Sequence, residues 1–151
     1  MQGHYQKAIE MLTKVLDTTP HRSFAYGMLA TLQYVQGDYS QARKALTEAQ
    51  QDGAVIQDEL QLMNWVLGVK ENQRARADEQ LRQYVQASLR NRPRNWHLTM
   101  MLFLLGEVDE KQLLEEGFSD NAVLWKVHDC QAYYMIGMKQ LIDGNMAEAK
   151  R

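Results

Sequence analysis

The sequence is poor in residues that interrupt helices and in residues that cross-link small folds. Only two prolines and one cysteine occur in 151 residues. A single cysteine cannot form an intramolecular disulfide, so the fold needs a hydrophobic core of its own. Strictly alternating runs of β-branched residues are also missing, and the segments between the prolines are rich in strong helix formers. These absences exclude a disulfide scaffold and predict an all-α fold.

Long apolar runs and an excess of one charge are missing as well. The longest apolar run, near residues 98–105, is far shorter than a bilayer span, so we expect no transmembrane helix. The formal net charge of −2 argues for neither nucleic acid nor a membrane surface as the partner. The N-terminal residues do not have the pattern of a signal peptide. The compartment stays open, with the cytoplasm slightly favoured over the periplasm because the lone cysteine fits a reducing environment.

A repeat of 34 residues is the clearest feature that is present. Gly3, a tyrosine two residues later and an alanine at position 8 recur from Gly37 onward, and Leu12 recurs as Leu46. Glycine permits a turn between two antiparallel helices, the tyrosine fills the corner beneath it, and the alanine permits a close helix crossing. We therefore expect Gly3 and Gly37 in turns, and we expect Pro20 to end the first helix.

This pattern resembles the tetratricopeptide repeat. Each repeat of that family has an aromatic residue, a Leu–Gly or Leu–Ala pair, then Gly, an aromatic, Ala, a large apolar residue, Ala and Pro. Residues 23–54 follow this order with Tyr26, Leu29, Ala30, Gly37, Tyr39, Ala42, Leu46 and Ala49, and Ala54 replaces the final Pro. The resemblance implies an α-solenoid of antiparallel helix pairs, a right-handed superhelix, in which the first helix of each pair lines a concave groove.

The remaining chain has weaker signals of the same architecture. Gly144 has the spacing of a turn glycine and Ala149 that of a close-contact alanine. We expect one helical domain over 1–151 with about eight or nine helices. Because its terminal repeats are incomplete, we expect it to be part of a longer array. The predicted divisions are a half repeat at 3–20, a full repeat at 23–54, a degenerate repeat at 55–92, a degenerate helix pair at 95–120 and a truncated repeat at 123–151.

A second resemblance covers residues 96–151. The segments are Trp96 with Gly106–Glu110 and Leu113, and His128 with Tyr133–Gly137. They are similar to the C-terminal half of the bacterial new-lipoprotein-I family, tetratricopeptide lipoproteins that act as adaptors for a periplasmic protease in cell-wall turnover. The chain has no lipobox cysteine. This resemblance implies an alternative role as a periplasmic protease adaptor.

The sequence shows no constellation of catalytic or metal-binding residues. None of its four histidines has a metal-ligand spacing, and His128 and Cys130, two residues apart, project to different sides of a helix. Neighbouring carboxylates such as Glu115 and Glu116 do not face each other, and Asp109 has the position of a helix N-cap. We therefore predict no enzyme activity, cofactor or metal. The alternative is a targeting or regulatory arm of an enzyme whose catalytic domain lies outside these residues.

Arginines are concentrated between residues 74 and 94. They are Arg74, Arg76, Arg82, Arg90, Arg92 and Arg94. One interpretation is a patch that binds nucleic acid or an acidic peptide. The other is a solvated helix face interleaved with acidic residues, which we favour because the chain as a whole is not basic.

The predicted function is a scaffold that binds a peptide or helix of a partner protein in the concave groove. The side chains expected to face it are Phe24, Thr31, Tyr34 and Val35 in one repeat, and Gln131, Tyr134 and Met138 in another. Tyr34 and Tyr134 have two open interpretations, as binding anchors or as core covered by neighbouring helices. Gly27 and Thr31 occupy the places where carboxylate-binding members of the family have Lys and Asn, which argues against binding of chaperone tails.

Self-association is a separate prediction. The terminal half repeats are expected to leave apolar helix faces unpaired, and such faces could form a homodimer. These faces carry Ile9, Met11 and Leu16 at one end and Leu141 and Met146 at the other.

Overall fold

A computed structural model describes residues 2–20, 22–52 and 57–144, and the regular secondary structure in these ranges is helical. The helices are α1 (Gln2–Leu16), α2 (Arg22–Val35), α3 (Tyr39–Gln51), α4 (Gln57–Lys70), α5 (Arg74–Asn91), α6 (Trp96–Leu104), α7 (Glu110–Glu116) and α8 (Ala122–Ile142). The predicted all-α fold is confirmed, and the eight helices of the described residues lie within the predicted number. None of these helices is both long and apolar enough to cross a membrane. The chain forms two compact units, an N-terminal unit (Met1–Ala77) and a C-terminal unit (Asp78–Arg151).

The N-terminal unit is built on the packing of α2 against α3, with α1 on one side of the pair and α4 on the other. Small side chains at the α2–α3 contact let the two helices approach closely, as the repeat pattern predicts. Partly buried residues, among them Tyr26, Tyr34 and Tyr39, pack around this core. The buried residues of the core are Leu16, Ala25, Leu29, Ala30, Ala42, Ala45, Leu46, Ala49, Leu60 and Leu67.

The turn between α2 and α3 has the conformation that the repeat requires. Gly37 has a φ of 82°, in the left-handed region where a side chain is strained. The N–H of Asp38 donates to the carbonyl of Gln33 at 2.9 Å, which satisfies one of the last carbonyls of α2. The Asp38 carboxylate then accepts from the N–H of Gln41 at 3.1 Å and caps α3. The predicted turn role of Gly37 is therefore confirmed.

The first copy of the repeat departs from three expectations. Helix α1 begins at Gln2, so Gly3 lies inside a helix and not in a turn. Tyr5 is exposed, so it does not fill a corner between two helices. The helix ends at Leu16, four residues earlier than Pro20, which disfavours helical backbone directly only at Thr19. Ala54, Met146 and Ala149 lie outside the described residues.

After α4 the chain keeps the turn of the repeat but lacks the glycine that is typical of it. Asn72, and not a glycine, takes the positive φ of 59° that reverses the chain. The N–H of Gln73 donates to the carbonyl of Gly68 at 2.8 Å, as in the turn after α2. Asparagine, like glycine, readily adopts this left-handed backbone conformation. The turn therefore forms without the glycine that marks it in the 34-residue repeat.

A long-range cap fixes the start of α2. The N–H of Ser23 donates to the Asp52 carboxylate at 2.9 Å, and Asp52 itself ends α3. The carboxylate therefore satisfies one of the N–H groups that have no partner within α2, and its negative charge lies at the positive end of the helix dipole. This bond joins the two ends of the α2–α3 pair.

We expect Asp52→Ala to lower the free energy of unfolding by about 1 kcal/mol, the usual cost of losing a side-chain cap. Urea denaturation followed by circular dichroism at 222 nm would measure the change. Asp17→Ala, at an exposed aspartate after α1, is the control and should leave stability close to that of the wild type. Equal effects of the two substitutions would contradict a specific role for the Asp52 cap.

The C-terminal unit packs α6, α7 and α8 together. Every residue from Leu98 to Leu104 of α6 is buried, so this short helix is the centre of the unit. Asp109 accepts from the N–H of Gln112 at 2.8 Å, which confirms the predicted N-cap of α7. After α8, Gly144 has a φ of 85°, which confirms its predicted turn conformation.

Candidate functional site

A pocket lies between α2 and α4 within the N-terminal unit. Its volume is about 190 Å³, and its lining is almost wholly apolar. Glu59 is the one ionisable residue in that lining. The lining residues are Phe24, Gly27, Met28, Thr31, Glu59, Leu60 and Met63. We call this feature the α2–α4 pocket.

The sequence forms the α2–α4 pocket through helical spacing. Phe24, Gly27 and Thr31 are three or four residues apart, so they share one face of α2, while Ala25 and Leu29 point to the core. Gly27 contributes no side chain and leaves a gap on that face. On α4, Leu60 is buried and Met63 packs against the core. The pocket is therefore a depression on the edge of the core, between α2 and α4.

The rim of the pocket exposes large apolar side chains. Phe24 is 56% exposed and Met28 is 44% exposed. A single exposed apolar residue is ordinary, but two of them beside an apolar depression form a surface that another molecule can cover. Methionine adapts its shape to different partners, and a phenylalanine ring supplies a rigid contact area.

The volume of the pocket limits what it can hold. Sites for cofactors and drug-sized ligands occupy about 300–1,000 Å³, which exceeds the volume of this pocket. An engineered apolar cavity of about 150 Å³ in another protein is large enough to bind benzene. At about 190 Å³ the α2–α4 pocket has room for one large apolar side chain.

The structure places two of the four predicted groove residues of the N-terminal unit in this pocket, namely Phe24 and Thr31. Tyr34 instead packs against the core, with its ring 5.6 Å from that of Tyr39, which agrees with the core interpretation. Val35 is exposed but does not line the pocket. Sequence reasoning missed Met28, although it is four residues after Phe24 on the same helix face.

The three predicted groove residues of the C-terminal unit have different environments. Gln131 accepts a hydrogen bond from the Trp96 indole N–H at 2.7 Å, so it fastens α8 to α6. Met138 is half-buried, and Tyr134 is 60% exposed. The exposed side of Tyr134 continues along α8 through Val127 and Val123, which are also exposed. This is a second apolar surface. It belongs to the C-terminal unit, whereas the α2–α4 pocket belongs to the N-terminal unit.

The apolar face predicted to be unpaired on α1 is mostly covered. Leu16 is a buried member of the core and Ile9 packs against it, because α1 lies on α2. The expectation that these two residues are unpaired is therefore wrong. Met11 is exposed at this end, and Leu141 is exposed on α8.

Carboxylates surround part of the arginine cluster. Arg94 lies 2.9 Å from the Glu116 carboxylate and also donates to the Thr99 hydroxyl at 3.0 Å. Arg82 lies 3.6 Å from both Glu79 and Glu107. These ion pairs offset the positive charge locally, in keeping with a solvated face interleaved with acids.

The His128 side chain is held by contacts with its neighbours. Its ring stacks on Trp96 with the centroids 4.7 Å apart, and its Nδ1 lies 3.1 Å from the carbonyl oxygen of Gly117. Cys130, two residues later, is exposed and points elsewhere. Across residues 2–20, 22–52 and 57–144, no three His, Cys, Asp or Glu residues are grouped so that they could hold a metal ion.

Comparison with known proteins identifies the repeat. A family model described as tetratricopeptide repeat matches residues 1–58, which include α1, α2 and α3 and the start of α4. No curated protein and no solved structure matches the chain. Repeats of this family are typical of protein–protein interaction scaffolds. Over residues 1–58, the chain is therefore similar to the tetratricopeptide repeat family.

Proposed function

We propose that this protein is a non-catalytic scaffold that binds a segment of a partner protein in the α2–α4 pocket. The observation that carries the proposal is the apolar depression between α2 and α4, with Phe24 and Met28 exposed at its rim. These helices are the first of their pairs, the ones that line the concave groove in the repeat family.

The binding mode follows from the size of the pocket. One large apolar side chain of the partner, such as Phe, Leu or Met, enters between α2 and α4, and Phe24 and Met28 pack against its flanks. Full burial of such a side chain stabilises a complex by about 1.5–3 kcal/mol. Because 1.4 kcal/mol corresponds to a tenfold change in Kd, loss of the anchor should weaken binding by roughly tenfold to a hundredfold.

A substitution that fills the pocket with a side chain of the protein itself tests the proposal directly. We expect Gly27→Leu to weaken binding of peptides by at least about tenfold, because the added side chain occupies the space of the partner's anchor. The substitution favours the helical state of α2, since leucine has a higher helix propensity than glycine. The probes are peptides selected on the full chain from a random twelve-residue phage-display library, with Kd measured by fluorescence anisotropy.

Val35→Ala is the matched control, because Val35 is exposed on the same helix and does not line the pocket. This variant should bind the selected peptides as the wild type does. Circular dichroism should show equal helix content in all three proteins. Undiminished binding by the folded Gly27→Leu variant, or a selection that yields no specific peptide, would overturn the proposal.

A further inference from the structure

We infer that two copies of this chain form a dimer by packing their α8 helices side by side in antiparallel orientation. The contact is an exposed apolar stripe on α8, which we call the α8 stripe. It belongs to the C-terminal unit, so the dimer is independent of the partner segment in the α2–α4 pocket. The members of the α8 stripe are Val123, Val127, Cys130, Tyr134, Gly137 and Leu141.

The spacing of the α8 stripe indicates that its occupant is a helix. Its six members follow one another in alternating steps of four and three residues. Such steps give a period of about 3.5 residues, the period with which one helix packs along another over several turns. The stripe runs from Val123 to Leu141, over nearly the whole of α8.

Helix α8 has two apolar faces that point in opposite directions. One face holds the helix on its unit through buried side chains. Because successive residues are about 100° apart around a helix, the α8 stripe lies on the other side. The exposed fractions of its four large members range from 46% at Val127 to 74% at Val123. A surface helix ordinarily has one apolar face, so the second one marks an interface. The buried residues of the first face are Ala132, Met135 and Ile136.

The α8 stripe is complementary to itself when two copies are antiparallel. Its midpoint is Ala132, and a two-fold axis there aligns the two stripes over their full length. Large side chains then lie opposite small ones, which lets two helix surfaces interdigitate. A second copy therefore fits the stripe without any change of register. The opposed residues are Tyr134 with Cys130, Val127 with Gly137, and Val123 with Leu141.

The charges on α8 favour the antiparallel orientation. No member of the α8 stripe is charged, so pairing buries no charge of its own. Lys126 borders the stripe, six residues before the midpoint at Ala132. In the antiparallel pair the two copies of Lys126 are therefore about 18 Å apart along the helix axis, well beyond the screening length of about 8 Å in physiological salt. A parallel pair would place both lysines at the same level.

The exposed area on α8 is enough for a weak dimer. Tyr133 and Leu124 border the stripe and are 60% and 47% exposed, and Tyr134 is 60% exposed. At about 150–250 Å² for a whole aromatic side chain, the two tyrosines contribute roughly 240 Å² per copy. The aliphatic side chains add roughly as much again. Two copies together bury on the order of 1,000 Å², near the lower limit of specific interfaces. We therefore expect a dimer with a Kd in the micromolar range.

Sedimentation velocity of the full chain over a micromolar concentration series tests the dimer. We expect the wild type to pass from monomer to dimer. Tyr134→Lys should raise the Kd of the dimer by at least about a hundredfold, because each dimer loses two aromatic contacts and gains two charges at its centre. Val35→Lys is the control, since it adds the same charge at an exposed residue of α2. It should dimerise as the wild type does, and circular dichroism should show equal helix content in all three proteins.

Cysteine cross-linking tests the orientation. In the antiparallel pair the two Cys130 residues are about 6 Å apart along helices whose axes are about 8–10 Å apart, too far for a disulfide. Tyr134→Cys places a thiol opposite Cys130 of the second copy, so oxidised glutathione should convert this variant to a covalent dimer and leave the wild type uncross-linked. Leu124→Cys, with its thiol beside the stripe, is the control and should not cross-link.

Three results would overturn the inference. The first is a wild type that stays monomeric throughout the concentration series, which would leave the stripe to a different protein or to another part of this chain. The second is a dimer that Tyr134→Lys does not weaken. The third is ready cross-linking of wild-type Cys130, which would indicate a parallel pair. None of these results bears on peptide binding in the α2–α4 pocket, so the two proposals fail separately.

Discussion

Leu46→Ala is expected to lower the free energy of unfolding by about 3–4 kcal/mol. Leu46 is 1% exposed and lies on α3, in the core of the N-terminal unit. Truncation to alanine removes the transfer free energy of the buried atoms and leaves a cavity that the helices fill only in part, which together cost about 2–5 kcal/mol. Urea denaturation followed by circular dichroism at 222 nm would measure this loss.

Leu124→Ala is the control for the same chemical change at an exposed site. Leu124 is 47% exposed on α8, so its truncation should alter stability by less than about 1 kcal/mol. A loss at Leu46 no larger than that at Leu124 would show that the α2–α3 core is looser than the structure describes.

Leu12 and Leu46 show what the repeat pattern predicts about a side chain and what it does not. The pattern gives the two leucines the same position, and both do face the core. Leu46 is fully covered because α3 packs against α2 and α4, whereas Leu12, on α1 beside α2, is only partly buried. Spacing predicts which way a side chain points, but its burial depends on how many helices surround it.

The α2 wall of the α2–α4 pocket could be predicted from the sequence, but the α4 wall could not. The α2 wall follows from the well-marked repeat, so Phe24 and Thr31 could be assigned from the sequence. The α4 wall was missed because Leu60 and Met63 fall on an apolar stripe that predicts core, and both do contact the core. Nothing in such a stripe distinguishes residues at its edge, which line a depression, from those at its centre.

Polar contacts between distant segments lay beyond sequence reasoning altogether. Arg43 on α3 binds the Glu71 carboxylate with two hydrogen bonds, of 3.2 and 2.8 Å, and also donates to Asn64. These partners follow no spacing rule, because the relative positions of α3 and α4 decide which side chains meet. Asp52 and Ser23 form their bond for the same reason.

Gly68 is a further residue on which the packing depends and that the 34-residue spacing does not predict. A Cβ atom added to Gly68 would lie 2.8 Å from the Cβ of Ala77, closer than real Cβ atoms approach. Both residues belong to the N-terminal unit. Thirty-four residues after Ala30 the chain has Asn64, so the small residue of this crossing is one helical turn later than the repeat predicts. The contact between α4 and the start of α5 therefore depends on glycine.

Gly68→Ala should lower the free energy of unfolding by about 1–2 kcal/mol. Overpacking a tight contact costs about 1–3 kcal/mol, and the gain in helix propensity from replacing glycine offsets up to about 1 kcal/mol of it. Ala77→Gly alone should also destabilise the protein, by about 1 kcal/mol, because it places a glycine in α5.

The double variant Gly68→Ala with Ala77→Gly decides the cause of the loss. It moves the glycine from one helix to the other and removes the Cβ–Cβ clash, so it should be more stable than the sum of the two single changes by about 1–2 kcal/mol. Urea denaturation of the four proteins would give this coupling energy. Strict additivity would attribute the effect of Gly68→Ala to α4 alone, whereas the expected coupling would show that the Gly68–Ala77 pair sets how closely α4 and the start of α5 approach within the N-terminal unit.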